Sequence, residues 1–169
     1  MHENSVWDVC ISPDDKYIVS GSDDKFIKIW DIKSMKQIKG DGEMLKKQAS
    51  NIYSVCFSPN GKYLVSGAAD GKITLWNFNN REIEGQPLTG HTAEVWRVRF
   101  SNDGNKLVSA SFDKTLMIWS VDTRKCLGKL TGHTGYVRNG FFFDNNRMIA
   151  SSSDVGEYSV RIWDAENYE

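Results

Sequence analysis

The residue types best suited to chemistry in this sequence are its three histidines, His2, His91 and His133. Serine and aspartate residues follow each of them, and Ser, His and Asp together can carry nucleophilic catalysis of the hydrolase kind. The acidic stretch GSDDK at residues 21–25 could likewise suggest a cation site. The motifs that mark such chemistry, G-x-S-x-G, H-E-x-x-H and a phosphate-binding glycine loop, do not occur.

An internal repeat changes the interpretation of these residues. Four tryptophans end similar stretches, IKIW at Trp30, ITLW at Trp76, LMIW at Trp119 and VRIW at Trp163, at intervals of 46, 43 and 44 residues. A second series, SVWDVCIS, NIYSVCFS, EVWRVRFS and YVRNGFFF, keeps nearly the same period, and the histidines all occupy one repeat position. A set that recurs from one repeat to another does not form one catalytic cleft. We therefore expect no enzyme activity, and we interpret residues 21–25 as a turn and not a metal site.

Each repeat predicts a meander of β-strands. The first segment alternates apolar and polar residues, as in Trp7, Val9 and Ile11, which is the period of a strand and not of a helix. Turn residues such as PNG at 59–61 come next, then a second strand, an acidic turn and a third strand ending in tryptophan. Weaker fourth strands follow at residues 35–40, 81–88 and 124–130, and the last repeat lacks one. One such sheet cannot bury both faces, so we expect an all-β protein of antiparallel four-stranded sheets stacked radially, a β-propeller.

This pattern resembles that of the WD-repeat β-propeller family along essentially the whole chain. The family signature is Gly-His near the start and Trp-Asp near the end of each repeat. The intact pairs are Gly90-His91, Gly132-His133, Trp30-Asp31 and Trp163-Asp164. Trp76 and Trp119 lack the following aspartate, and Gln48 stands at the histidine position of the second repeat. The resemblance implies a single domain over residues 1–169, with repeats at approximately 1–47, 48–89, 90–131 and 132–169.

In that family a buried hydrogen-bond chain joins the histidine, a strand serine, a turn aspartate and the tryptophan. The resemblance implies, for the four repeats in order, His2, Ser20, Asp24 and Trp30; Ser66, Asp70 and Trp76; His91, Ser109, Asp113 and Trp119; and His133, Ser151, Asp154 and Trp163. An imidazole that donates to a buried carboxylate satisfies both groups, and the serine links them to the indole N–H. This role is structural, so we expect Asp113→Ala to destabilise the protein and not to alter a reaction.

The resemblance also implies a partner-binding face, made by the loops that enter the first strand and the turn before the third. Three positions per repeat contribute: Trp7, Tyr53, Trp96 and Arg138; Ser5, Asn51, Glu94 and Tyr136; and Asp23, Ala69, Phe112 and Ser153. Since Trp, Tyr and Arg are enriched in binding hot spots, we expect a contact surface of Trp7, Tyr53, Glu94, Trp96, Phe112, Tyr136 and Arg138. The alternative is that Trp7, Tyr53 and Trp96 pack between sheets, because they share the parity of Val9, Val55 and Val98.

Composition excludes several classes of protein. Lys+Arg 21 against Asp+Glu 22 argues against a nucleic-acid partner, which needs clustered cations. No stretch approaches the ~20 apolar residues of a membrane span, and the N-terminus does not look like a signal peptide. Three widely spaced cysteines without a C-x-x-C motif favour reduced thiols in an intracellular protein, with the cytoplasm expected and the nucleus also compatible. No cofactor is expected.

The leading functional hypothesis is a non-catalytic scaffold that binds other proteins or peptides through the loop face. The alternatives are a reader of a short linear or modified peptide in the central channel and an architectural subunit of a large assembly. Four repeats are few for a family whose rings commonly have about seven blades. The chain is therefore expected to be a segment of a longer protein, to pair with a second copy in an eight-bladed ring, or to be completed by a different partner.

Overall fold

The computed structural model describes residues 1–38, 45 and 47–168, and no helix occurs in them, which confirms the all-β class. The strands form four antiparallel sheets in which sequence neighbours pair, and we call these sheets blades 1 to 4. Blade 1 contains β1 (Val6–Ile11), β2 (Tyr17–Ser22), β3 (Ile27–Asp31) and β4 (Lys36–Gln37), and blade 2 contains β5 (Ile52–Phe57), β6 (Tyr63–Ala68), β7 (Ile73–Asn77) and β8 (Glu82–Ile83). Blade 3 contains β9 (Val95–Phe100), β10 (Lys106–Ser111), β11 (Leu116–Ser120) and β12 (Cys126–Leu130), and blade 4 contains β13 (Tyr136–Phe143), β14 (Met148–Asp154) and β15 (Val160–Asp164).

The fourth strands are short in blades 1 and 2, as the sequence predicts, since β4 and β8 have two residues each. In blade 3 the fourth strand β12 has five residues, as many as β11, and blade 4 has three strands in the described part of the chain. The strand predicted at residues 35–40 is described only as far as residue 38, and its last two residues lie outside the described part of the chain.

A serine holds the turn between the first two strands in three of the blades. The Ser12 hydroxyl donates to Asp14 Oδ1 at 2.7 Å and accepts the Tyr17 amide at 2.9 Å. Ser58 makes the same two bonds in blade 2, with Asn60 and Tyr63 as the partners. The turn residues that follow the first strand are thus fixed by local side-chain bonds, which competes with helix formation at these positions.

Apolar side chains from adjacent blades form a separate core in each interval between them. Between blades 1 and 2, Val19, Ile27 and Ile29 pack against Ile52 and Val55. Equivalent cores fill the other two intervals among the described residues. Trp76 is buried in the core between blades 1 and 2, and Trp119 is buried in the core between blades 2 and 3. Burial of this surface is the main source of stability, because each sheet alone would leave one apolar face in water.

A β-bulge near the start of the first strand breaks the predicted alternation in every blade. The pairing register shifts between Val6 and Asp8 in blade 1 and between Ile52 and Ser54 in blade 2, with the same shift in blades 3 and 4. Ile52 and Val55, three residues apart, are therefore both buried. The residues left over by the shifts are Trp7, Tyr53, Trp96 and Arg138, and we call them the bulge residues.

The blades form an open arc in the described residues and not a closed ring. β1 lies beside β5, β5 beside β9 and β9 beside β13. The outer face of blade 1 exposes Val9 by 59% and Ile11 by 56%, and that of blade 4 exposes Val160 by 74% and Ile162 by 62%. The equivalent residues on the inner blades are buried, so these two faces are the surfaces that further blades would cover.

Candidate functional site

The predicted hydrogen-bond chain is complete in blade 3. Nδ1 of His91 lies 2.8 Å from Asp113 Oδ2, and Nε2 lies 2.7 Å from Ser109 Oγ. Trp119 Nε1 donates to the same serine oxygen at 2.9 Å. Since a carboxylate can only accept, Nδ1 carries a proton and donates it to Asp113, and Nε2 shares a hydrogen bond with the Ser109 hydroxyl. Every polar atom of this buried chain thereby has a partner.

Blade 1 repeats the same chain. His2 lies 2.8 Å from Asp24 Oδ2 and 2.7 Å from Ser20 Oγ, and Trp30 Nε1 donates to Ser20 at 3.1 Å. The Glu3 amide also donates to the Asp24 carboxylate at 3.0 Å. The carboxylate therefore ties the loop before β1 to the turn between β2 and β3.

Blade 4 keeps the chain but changes its acid. His133 bonds Ser151 at 2.7 Å, and Trp163 donates to Ser151 at 2.8 Å, as expected. The carboxylate on Nδ1 belongs to Glu157, at 2.7 Å, so the prediction of Asp154 is wrong. Residues 155–157 lengthen the turn between β14 and β15, and the longer glutamate side chain reaches the imidazole from there. Asp154 instead pairs with Arg138.

Blade 2 retains only the end of the chain. Trp76 Nε1 donates to Ser66 Oγ at 3.1 Å. Asp70 pairs with Lys72 at 3.0 Å and does not bond to a histidine, since this repeat contains no histidine. Gln48, at the histidine position, accepts a bond from Thr74 at 3.2 Å.

The geometry of these hydrogen-bond chains indicates a structural role. Each serine oxygen that could act as a nucleophile is buried, hydrogen-bonded to a histidine and occupied by an indole N–H from the other side, as in Ser109. The same arrangement recurs in three blades, with no one cleft that gathers it. Within residues 1–38, 45 and 47–168 no three His, Cys, Asp or Glu side chains are grouped to hold a metal ion.

Five aromatic side chains predicted as partner-binding form one continuous row, the aromatic row, across all four blades. Its members are Trp7, Tyr53, Trp96, Phe112 and Tyr136. Ring centroids of Trp7 and Tyr53 are 5.8 Å apart, and those of Tyr53 and Trp96 are 4.8 Å apart. Phe112 stacks between Trp96 at 5.0 Å and Tyr136 at 4.7 Å. Such distances are those of attractive aromatic pairs.

Arg138 and Glu94, the other two predicted residues, lie at the same row. The Arg138 guanidinium is 4.5 Å from the ring centroids of both Trp96 and Phe112. The Glu94 carbonyl accepts the Phe112 amide at 3.0 Å, which joins the loop before β9 to the turn after β10. The structure thus brings all seven predicted residues onto one surface.

The packing alternative for Trp7, Tyr53 and Trp96 is met in part, because these rings contact one another from blade to blade, but they do so outside the inter-blade cores. The inter-blade cores of the described residues do not include these rings. The bulges take them out of the strand alternation, so they do not share the face of Val55 and Val98, which are fully buried. Their contacts are with one another, and Trp7 remains 44% exposed.

One polar network beside the row was missed by the sequence reasoning. Asp8, next to the first bulge residue, pairs with Arg97 at 2.9 Å and Arg99 at 3.4 Å, which reach it from blade 3. Ser54 of blade 2 donates to the same carboxylate at 3.0 Å. Asp8, Ser54 and Arg97 occupy the same position in their repeats. The opposite charges of Asp8 and Arg97 at this position were the sequence signal from which the network could have been predicted.

The stacked antiparallel blades and the recurrent His–Ser–Trp chain define a protein of the β-propeller class. A family model described as "WD domain, G-beta repeat" matches residues 1–31, 42–77, 84–120 and 124–164, and the chain belongs to this WD-repeat family. WD-repeat proteins are in general non-catalytic scaffolds for protein interactions. A search of curated proteins found no match. The described residues contain no helix long and apolar enough to cross a membrane.

Proposed function

We propose that this chain is a non-catalytic scaffold that binds partner proteins through the surface of the aromatic row together with Glu94 and Arg138. We call these seven residues the binding surface. The observation that carries the proposal is the continuity of the row, five touching rings held on the loop side of four blades. Rings packed on one another are rigid, so a partner that contacts them orders few side chains.

The position of the row supports binding more than stability. Trp7 and Tyr136 at its two ends are 44% and 37% exposed, although aromatic side chains of this size gain most from full burial. The bulges turn the row out of the sheet alternation, and bulges commonly re-aim a side chain next to a functional site. Trp, Tyr and Arg are the residue types that dominate binding energy in interfaces.

Capture of partners from the native source tests the proposal. The full chain is immobilised, bound proteins are identified by mass spectrometry, and Phe112→Ala and Tyr136→Ala are compared with Leu127→Ala. Leu127 on β12 is as exposed as Tyr136, 39% against 37%, but lies on the outer strand of blade 3. We expect the two row variants to lose the specific partners and Leu127→Ala to retain them.

Thermal melts of the same variants separate binding from packing. We expect the melting temperatures of Phe112→Ala and Tyr136→Ala to stay within a few degrees of the parent, since both side chains lie outside the inter-blade cores. If capture and melting temperature fall together, the row is a packing element and the proposal is wrong.

We also propose that the protein acts inside the cell, in the cytoplasm or the nucleus. Cys10, Cys56 and Cys126 are all free thiols, the state favoured by a reducing compartment. Imaging of a fluorescent fusion in the native cell tests this proposal, and exclusive localisation outside the cytoplasm and nucleus would contradict it.

A further inference from the structure

Every interval between blades is built from the same two kinds of face. We call the side of a blade that contacts the next blade along the chain its forward face, and the side that contacts the preceding blade its rear face. In the first interval the forward face of blade 1 supplies Val19, Ile27 and Ile29, and the rear face of blade 2 packs against them with residues that include Val55 and Trp76. The other two intervals among the described residues repeat this arrangement with side chains at the same positions of the strand registers.

Blade 4 exposes a forward face of the same construction. Ile162 pairs with Ala150 as Ile29 pairs with Val19 in blade 1, so Ile162 holds the position of Ile29. Val160, two residues earlier on the same strand, shares its face. Ile162 and Val160 are exposed, whereas the corresponding residues of blades 1, 2 and 3 are buried against the next blade.

The rear face of blade 1 carries an apolar groove of about 410 Å³. Val6, Val9, Ile18 and Trp30 are among its lining residues. The residues at the same positions of blade 2 all belong to the core of the first interval, where a forward face packs on them; they are Ile52, Val55, Leu64 and Trp76. The groove is therefore the surface that a forward face covers in each interval. A second copy of this chain brings such a face, since the forward face of its blade 4 is exposed.

Polar side chains also cross two of the intervals. The Val55 amide donates to Asp8 of the preceding blade at 3.0 Å, and the Val98 amide donates to Ser54 at 3.2 Å. Asn139 holds the same register position in blade 4, and its side-chain oxygen is a type of acceptor that can take such a bond. Blade 4 therefore carries an acceptor for the corresponding amide of blade 1 in a second copy.

We propose that two copies of this chain bind each other head to tail, with the forward face of blade 4 in each copy packed on the rear face of blade 1 in the other. Each contact is heterologous, and two such contacts close a ring. Two copies of four blades give eight blades, within the range of about four to eight that propellers have, whereas three copies would exceed it. Closure covers both exposed apolar faces at once. The inference is independent of the proposed function, because neither face includes a residue of the binding surface.

The mass of the chain in solution tests the proposal directly. Light scattering at micromolar concentrations should give twice the chain mass of 19.2 kDa, and the mass should fall to that of one chain on dilution. Ile162→Asp and Val9→Asp each place a charge on one of the two faces and should weaken the dimer at least about tenfold. Leu127→Asp is the control, because Leu127 is also exposed but lies on the outer strand of blade 3, outside both faces, and it should leave the dimer unchanged.

Thermal melts of the diluted proteins show whether these variants are folded. Ile162 and Val9 are exposed in the single chain, so their replacement should leave its melting temperature within a few degrees of the parent. A loss of the dimer in a folded variant is then a loss of the contact itself.

Cysteine substitutions test which residues meet. A Cβ placed on Gly21, on a forward face, lies 3.3 Å from the Cβ of Ile52 on the next rear face, close to the ~3.5–4.5 Å of a disulfide. Ser152 and Val6 hold these two positions on the exposed faces of blades 4 and 1. Ser152→Cys and Val6→Cys proteins, both with the exposed native thiol removed by Cys126→Ser, are treated with oxidised glutathione. We expect a disulfide-linked dimer when the two are mixed and none when either is alone, because a head-to-tail contact joins different positions.

A protein that carries both substitutions tests closure of the ring. On a non-reducing gel it should give a band of two chains and nothing larger, whereas an open filament would give a ladder. A ladder, a single-chain mass at every concentration, cross-linking of either single variant with itself, or an unweakened dimer in Ile162→Asp would each overturn the proposal.

Discussion

At the scale of single residues, the same side chains that could form a hydrolase centre instead fasten the blades. Hydrogen bonds join Asp113 to His91 and His91 to Ser109, and the chain ends at the Trp119 indole, which donates to Ser109. A nucleophilic serine needs a free approach for its substrate, and Ser109 is fully buried. This hydrogen-bond chain joins the entry loop, two strands and a turn of one blade, and it therefore makes the blade rigid.

Removal of one acid from this chain should destabilise the fold. For Asp113→Ala we expect a loss of about 1–3 kcal/mol in the free energy of unfolding, since His91 loses its buried acceptor. Asp70→Ala is the matched control, because Asp70 is the equivalent turn residue of blade 2 but pairs only locally, with Lys72. Urea unfolding measures both. Equal losses in the two variants would show that the histidine bond contributes nothing.

Stability should fall in acid because of the same carboxylates. Burial by itself raises the pKa of Asp113, but hydrogen bonds from His91 and Thr115 outweigh it and hold that pKa well below its usual range. The balance is the same for Glu157, where Ser159 and His133 supply the bonds. A pKa that is lower in the folded state adds stability above the unfolded value of about 4, and this stability is lost as the pH falls below that value.

The midpoint of urea unfolding, measured between pH 7 and pH 3, tests this pH dependence. We expect it to decrease most steeply below about pH 4. Asp113→Asn removes one titrating group, so its midpoint should fall less over the same interval. If the urea midpoint falls equally with pH in the parent and in Asp113→Asn, the Asp113 carboxylate does not contribute to this pH dependence.

At the scale of elements, the bulges and turns decide which way side chains point. One extra residue in the first strand of each blade moves Trp7, Tyr53, Trp96 and Arg138 out of the sheet alternation. The turns after the second strand also adopt left-handed backbone: φ is 70° at Lys25, 79° at Gly71 and 71° at Lys114. Left-handed conformation favours glycine, which has no Cβ to clash.

Gly71 offers an element-scale prediction with an internal control. A Cβ at Gly71 would lie 3.0 Å from the backbone oxygens of His91 and Ala93 in the next blade, in addition to the cost of its positive φ. Gly61 also has a positive φ, 69°, but the nearest atom to its Cβ is 3.6 Å away. We expect Gly61→Ala to cost about 1 kcal/mol from the backbone alone, and Gly71→Ala to cost roughly twice that or more. Thermal unfolding of both variants measures the difference, and equal losses would mean that the two blades do not meet at this turn.

At the scale of the whole molecule, stability depends on the intervals between blades. Each interval buries one face of two sheets, and among the described residues only the outer faces of blades 1 and 4 remain exposed. Exposed apolar faces of this kind favour association with further blades or with another chain.

Ile29 and Ile162 hold equivalent positions in blades 1 and 4 and differ in burial, 2% against 62% exposed. We expect Ile29→Ala to cost about 2–5 kcal/mol, because it leaves a cavity in a core. In the single chain, Ile162→Ala should cost less than about 0.5 kcal/mol. Denaturant unfolding tests this at concentrations where light scattering gives the mass of one chain. Equal losses there would show that Ile162 is buried within the chain itself.

Much of this protein follows from its sequence alone. The period of the tryptophans, the turn residues and the strand patterns predicted the all-β blades and the short fourth strands, because hairpins depend on neighbouring residues. The histidine, serine and tryptophan of each chain were also predictable, since they recur at fixed repeat positions. These features are local, and a local pattern repeated four times is a strong signal.

Tertiary structure decided what depends on contacts between distant strands. Glu157 replaced Asp154 because a lengthened turn brings a longer side chain to His133, which residue order does not reveal. The bulges moved Trp7, Tyr53 and Trp96 away from the cores, and a strict period of two could not detect that shift. The Asp8 network and the aromatic row join three and four blades respectively, and such contacts exist only once the blades are stacked. The period of a sequence determines which residues alternate within a strand, whereas the packing of one sheet on the next determines which of them meet.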